Sequence, residues 1–129
     1  MSFLDSWIAR LLSVLRIVSG FMLTSHGAQK WLGFPAPPSA PATLMSLSGA
    51  AGILELLGGA LLLFGLFTRP VAFLLSGTMA FAYFIAHAPN GFWPLLNRGE
   101  LAALYCFVFL YLSAAGGGPW SLDRWLRHR

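Results

Sequence analysis

Five ionisable side chains stand in or beside strongly apolar stretches of this 129-residue chain: His26, Lys30, Glu55, His87 and Glu100. Their types suit three kinds of chemistry. Histidine, tyrosine or carboxylic acid groups drawn from several helices can bond the carbonyl oxygens of a quinone head group and pass protons to it. His26, His87, Glu55 and Glu100 also carry the atoms that ligate a divalent metal, and His26 with His87 those that ligate haem. No metal-diagnostic spacing such as HExxH or CxxCH is present, so quinone is kept as the candidate ligand and no metal is assigned. Tyr83, one turn before His87, together with Trp93, Asn97 and Tyr111, adds polar and aromatic groups to the same regions.

Glu55 is the member that needs explaining. It lies in "GILELLGGALLLFGLFTRP", residues 52–70, where every neighbour before Thr68 is uncharged. An unpaired acid inside a bilayer costs on the order of 3 kcal/mol by insertion scales, so it requires a partner or a proton.

The rest of the chain makes the bilayer the right solvent to consider. Hydrophobic residues make up 57% and charged residues 9%, against about 25% charged in soluble domains. The single cysteine, Cys106, excludes an internal disulfide and CxxC chemistry. The net charge of +4 comes from few, scattered basic residues, which is no nucleic-acid footprint. "SGAAGILE" has glycines but no preceding strand, so it is no nucleotide loop.

Four apolar segments cover residues 7–31, 47–67, 71–88 and 100–115. A span needs about 17–25 helical residues, which the first three supply and the fourth nearly does. Breaks fall at Gly33–Thr43, which holds four prolines, and at Thr68–Pro70, Pro89–Gly99 and Gly116–Pro119. The expected fold is all-α: a four-helix transmembrane bundle in one domain. A short C-terminal interfacial helix follows, capped by Ser121, with Leu122, Trp125 and Leu126 on its membrane face. Segment one reads as a span and not a signal peptide, because Arg16 interrupts it and the small-residue "APA" lies well past its end. The five tryptophans fall near segment ends, as an aromatic belt requires, and are given no chemistry.

Arg10, Arg69, Arg124, Arg127 and Arg129 fall on one side of such a bundle, and Lys30 and Arg98 on the other. The positive-inside rule then expects both termini in the cytoplasm of a multi-pass inner-membrane protein. Within segment one, Arg16, Gly20, Leu23, Gly27 and Lys30 share a helical face, and Ser48, Gly52, Glu55 and Gly59 share one on segment two. Counting depth from each segment's own end puts Arg16 and Glu55 within ~5 Å of one another, so the two faces are expected to pack with an Arg16–Glu55 ion pair between them. The five ionisable residues named first are expected to converge in the outer leaflet, with Phe21, Phe81 or Phe84 lining a path for an apolar tail.

"RIVSGFMLTSHGAQK", "ELLGGALLLFGLFTRPVA", "HAPNGFWPLLNRGELAALY" and "GGGPWSLD", in this order over about residues 10–123, resemble the DoxX family of small four-helix bacterial membrane proteins. The family's early basic residue falls on Arg16 and the end of its first helix on Gly27 and Lys30. Its helix-two glutamate falls on Glu55, its turn on Arg69, and the start of its last helix on Asn97, Gly99 and Glu100. The resemblance implies an inner-membrane protein. It also points to a membrane subunit or partner of a quinone-linked redox complex, since relatives are linked to a thiosulfate:quinone oxidoreductase and to membrane complexes handling oxidative stress. A non-catalytic assembly or anchoring subunit is the competing reading. A small transporter fits less well, since four short helices leave little room for paired repeats. The expected partners are the lipid bilayer and other membrane proteins.

Overall fold

The computed structural model describes residues 2–38 and 46–128. Its elements are α1 (Asp5–Leu32), α2 (Leu47–Phe64), α3 (Thr68–Ala82), α4 (Pro94–Asn97), α5 (Glu100–Ala115) and α6 (Leu122–Arg127). A π-helical turn, Tyr83–His87, and a 3₁₀ turn, Ala88–Asn90, prolong α3. The described residues contain no strand. Three helices are long and apolar enough to cross a membrane: Asp5–Leu32, Leu47–Phe64 and the continuous run Thr68–Asn90. At 16 residues α5 is ~24 Å long, short of a hydrocarbon core of ~30 Å.

Burial follows the bilayer pattern. Phe21, Phe73, Phe81 and Phe107 face outward, while Ser13, Arg16, Ser19, Glu55 and Ser76 are buried. A surface this apolar is at equilibrium only against lipid.

Two helix pairs build the bundle: α1 lies along α2 and α3 along α5, with α2–α3 contacts joining the pairs. Small residues set the first pair. A Cβ on Gly27 would stand 2.4 Å from the backbone nitrogen of Leu56, and one on Gly20 2.7 Å from that of Leu63. One on Gly59 would stand 2.7 Å from the backbone nitrogen of Thr24. The Trp31 indole N–H donates to the Gly49 carbonyl at 2.9 Å, so this tryptophan is an inter-helix tie as well as a boundary residue. In the second pair the Ser76 hydroxyl donates to the Cys106 carbonyl at 2.7 Å. Leu23, Leu62, Leu75, Met79, Tyr105, Phe109 and Leu112 fill the space between the pairs.

Several expected bounds shift for local reasons. Segment two was expected to reach residue 67, but α2 stops at Phe64. Gly65 turns left-handed, its N–H bonds the Leu62 carbonyl, and the Leu66 N–H bonds the Leu61 carbonyl, the two bonds of a Schellman cap. Segment three was expected from residue 71, but α3 starts at Thr68, because Pro70 in a first turn has no intrahelical N–H bond to lose. The short α4 lies inside the stretch read as a break. Of the proline-rich loop expected over residues 33–43, positions 39–43 lie outside the described residues. The capped C-terminal helix is present: the Ser121 hydroxyl accepts from the Arg124 N–H, and Leu122, Trp125 and Leu126 are exposed.

Gly27→Ala should lower the melting temperature of the detergent-purified protein by several degrees. Overpacking against backbone costs about 1–3 kcal/mol. A Cβ on Gly77, in the middle of α3, meets nothing within 4 Å. Gly77→Ala should therefore leave melting unchanged or raise it, by up to about 1 kcal/mol of helix propensity. Equal effects of the two would mean that α1 and α2 are not in backbone contact.

Candidate functional site

Glu55 stands in the third turn of α2, ~12 Å from its start at Leu47, and is 5% exposed. Its Oε1 accepts from Lys30 Nζ at 2.9 Å, and among the described residues this is the one ion pair. Lys30 lies in the last turn of α1, where a cation also complements the helix dipole. The other carboxylate oxygen, Oε2, is buried with no hydrogen-bond partner.

The expected Arg16–Glu55 pair is therefore corrected. The close approaches Gly20–Leu63 and Gly27–Leu56 fix an antiparallel register that sets Arg16 opposite Gly65, ten residues or ~15 Å along α2 from Glu55. Depth counted from separate segment ends missed this register. Arg16 is fully buried at the opposite end of the bundle, where its Nη1 donates to the Gly117 carbonyl and its Nη2 to the Trp120 carbonyl, the latter at 2.7 Å. The hydroxyl of Ser13 donates to the same Gly117 carbonyl and accepts from the Trp120 N–H. Asp123 closes this end: its Oδ1 accepts from the Phe67 N–H at 2.7 Å and its Oδ2 from the Thr68 N–H at 2.9 Å, capping α3.

The remaining candidates do not gather around Glu55 as one cluster. His26 is exposed on α1 and meets the buried Tyr105 of α5 edge to face, ring centroids 6.3 Å apart. Tyr105 lies within electrostatic range of Glu55, and its hydroxyl is buried without a partner. His87 belongs to a separate group at the π-turn. Its Nδ1–H donates to the Asn97 carbonyl at 3.1 Å, since a carbonyl oxygen can only accept. The Asn97 amide donates to the Tyr83 hydroxyl and the Gly91 carbonyl, and its oxygen accepts from the Gly99 N–H, so this group is held rigidly. Glu100 is exposed in the first turn of α5, where it complements the helix dipole. Among the described residues no three of His, Cys, Asp or Glu come together in ligating geometry.

Lys30 and Glu55 do share one feature, a place on the wall of the same hollow. A groove of about 740 Å³ runs between α2 and α3 among the described residues. Leu54, Phe73, Leu74, Phe81 and Ile85 line it, and Lys30 and Glu55 are its only charged wall residues. From Phe73 to Ala86 it extends ~20 Å along α3. Of the three phenylalanines expected along an apolar path, Phe81 lines this groove, Phe84 lines a neighbouring cleft with Tyr83 and Phe92, and Phe21 lines neither. Sequence reasoning gave no role to Tyr105, Ser13 or Asp123. Only the periodicity that puts Tyr105, Phe109 and Leu112 on one face of α5 hinted at the first.

A family model described as DoxX matches residues 11–88, which include α1, α2, α3 and both Lys30 and Glu55. A protein of Haemophilus influenzae, described as an uncharacterized protein, is 42% identical over 134 residues, covering 95% of this chain and 96% of its own length. No solved structure matches.

Removing one member of a buried pair strands the other charge, at about 3–5 kcal/mol; the partial exposure of Lys30 argues for the low end. Lys30→Ala and Glu55→Ala should each lower unfolding stability in detergent, and the double change should lose clearly less than the sum. Arg16→Ala and Glu55→Ala should instead add, as distant sites do. The reverse pattern of coupling in the two cycles would restore the Arg16–Glu55 pair.

Proposed function

The chain belongs to the DoxX family, and from that premise and the Lys30–Glu55 groove we propose that it is a quinone-holding membrane subunit of a redox complex. The observation that carries the reading is Glu55 itself. It is buried, one oxygen is paired with Lys30, the other is unpartnered, and the residue forms the charged end of an apolar groove that opens into the bilayer. A pair that served only to fix helix register would have no use for an unmet acceptor beside a lipid-facing groove.

The chemistry follows from those two side chains. The Lys30 ammonium has donors beyond the one given to Glu55 and can polarise a quinone carbonyl. Glu55 can take or return a proton as the head group changes redox state. The groove's ~20 Å length along α3 accommodates an isoprenoid tail, and its lateral opening lets that tail enter from lipid. Electrons come from a partner protein, which makes this chain a site-bearing subunit. In this reading the protein crosses the bacterial inner membrane with both termini cytoplasmic, which the five-to-two split of basic residues supports.

A short-tailed quinone should raise the melting temperature of the purified protein, and Glu55→Gln should weaken that shift. Gly77→Leu supplies an independent arm: Gly77 lines the groove and its Cβ direction is open, so the leucine should fold yet fill the tail path and abolish the shift. A quinone series that leaves melting unchanged in the parent, or a shift that Gly77→Leu preserves, would leave the anchoring-subunit reading. For orientation, membrane-impermeant thiol labelling in a Cys106→Ala background should leave a cysteine at His128 untouched from outside and modify one at Ser39. Labelling at His128 alone would invert the topology.

A further inference from the structure

The end of the bundle opposite the groove carries a second, smaller concavity that the quinone reading does not use. It is a cleft of about 280 Å³ between the start of α3 (Phe67, Thr68, Arg69, Pro70), the end of α5 (Ala115, Gly116) and one side of α6 (Asp123, Arg127). We propose that Arg69 and Arg127 form there a headgroup site for an anionic phospholipid, binding its phosphate.

Three observations carry this. First, the donors are present and unspent. Arg69 and Arg127 are exposed, and neither has a hydrogen-bond or ion-pair partner among the described residues. Each guanidinium offers five N–H groups in a planar fork suited to phosphate oxygens. Second, the cleft holds one of them in place. A Cβ on Gly116 would stand 3.2 Å from Arg69 Nε and 3.4 Å from its Nη2, so the guanidinium lies directly over the bare glycine backbone. Third, the acid in the cleft is already committed. Both carboxylate oxygens of Asp123 accept backbone N–H groups at the start of α3, so Asp123 does not compete for the two arginines.

The level of the cleft selects a lipid over a soluble anion. Trp120, Leu122, Trp125 and Leu126 are exposed around α6, and Phe67 is exposed at the cleft's own edge. Aromatic and leucine side chains on a short basic helix mark the membrane–water interface, where lipid phosphates lie. Basic pockets between helices at such an interface bind anionic headgroups. Among the described residues, these are the two basic side chains that line this concavity.

Native mass spectrometry of the full chain in detergent tests the site, with phosphatidylglycerol compared with phosphatidylcholine of the same acyl chains. The parent should bind phosphatidylglycerol about tenfold more tightly than phosphatidylcholine, because both carry the phosphate but the choline ammonium cancels its charge and is repelled by the two guanidinium groups. The double variant R69Q/R127Q should lose that preference. R10Q should keep it, since Arg10 lies at the same end but is stacked over Trp7, 5.0 Å from the ring centroid. Equal binding of the two lipids, or an unchanged preference in R69Q/R127Q, overturns the proposal. Displacement of phosphatidylglycerol by millimolar inorganic phosphate also overturns it, since the site would then be for free anion. If circular dichroism shows the double variant unfolded, R127Q is decisive, because Arg127 projects from an exposed six-residue helix: full lipid preference in R127Q would refute the site.

Discussion

A charge buried among hydrocarbon must be met by the protein, because lipid offers it no hydrogen bonds. Arg16 and Glu55 are the two fully buried charges of this bundle, and much of the architecture answers to them. They lie near opposite ends and are met in different ways. Arg16 is met by backbone: the segment after α5 doubles back so that the carbonyls of Gly117 and Trp120 accept its guanidinium protons. The C-terminal ends of α2 and α5, with their partial negative charge, converge on the same place. Glu55 is met by one side chain, Lys30.

Both solutions depend on how closely α1 and α2 approach. The bare backbones at Gly20, Gly27, Gly52 and Gly59 let the helices touch, and the contact fixes their register. That register sends Lys30 to Glu55 and leaves Arg16 facing Gly65, where a side chain would collide with the guanidinium. Gly65 thus serves twice: it ends α2 in a left-handed turn, and it leaves room for Arg16. Its carbonyl also accepts the Asp123 N–H, so the same turn ties α6 to the bundle.

Much of this was legible in the residues. Apolar runs and their breaks gave the helices, and the small-residue faces gave the pairing of α1 with α2. The need of Glu55 for a partner was equally plain. Which partner it takes was not, because each depth was reckoned from a segment's own expected end. The true register is a property of two surfaces in contact, and a shift of a few residues exchanges one cation for another. The inward role of Tyr105 escaped for a related reason: a tyrosine within an apolar run shows no direction until its neighbours are known. Asp123 escaped because its acceptors serve backbone N–H groups 55 and 56 residues earlier, a relation with no sequence signature. The convergence expected of His26, His87 and Glu100 failed because similar depth does not bring side chains to one azimuth of a bundle.

The two ends differ in one further respect, which separates structure from chemistry. At the Arg16 end a dense network answers most polar groups, although Arg16 Nε and the Thr68 hydroxyl are buried without a partner. Ser13, Ser121, Asp123 and the carbonyls of Gly117, Gly118 and Trp120 all have partners. Such a network fixes a shape. At the Glu55 end Oε2 and the Tyr105 hydroxyl are buried and unanswered, and a groove of about 740 Å³ runs up to the carboxylate. Leaving a buried polar atom unmet costs about 1–3 kcal/mol, more for a charged one. A site that must receive a polar head group has to keep such an atom unfilled until the ligand arrives. The two ends therefore differ in what their unanswered atoms adjoin: Glu55 Oε2 is an acceptor on the wall of an apolar groove, whereas Arg16 Nε is a donor enclosed by the turns that follow α2 and α5.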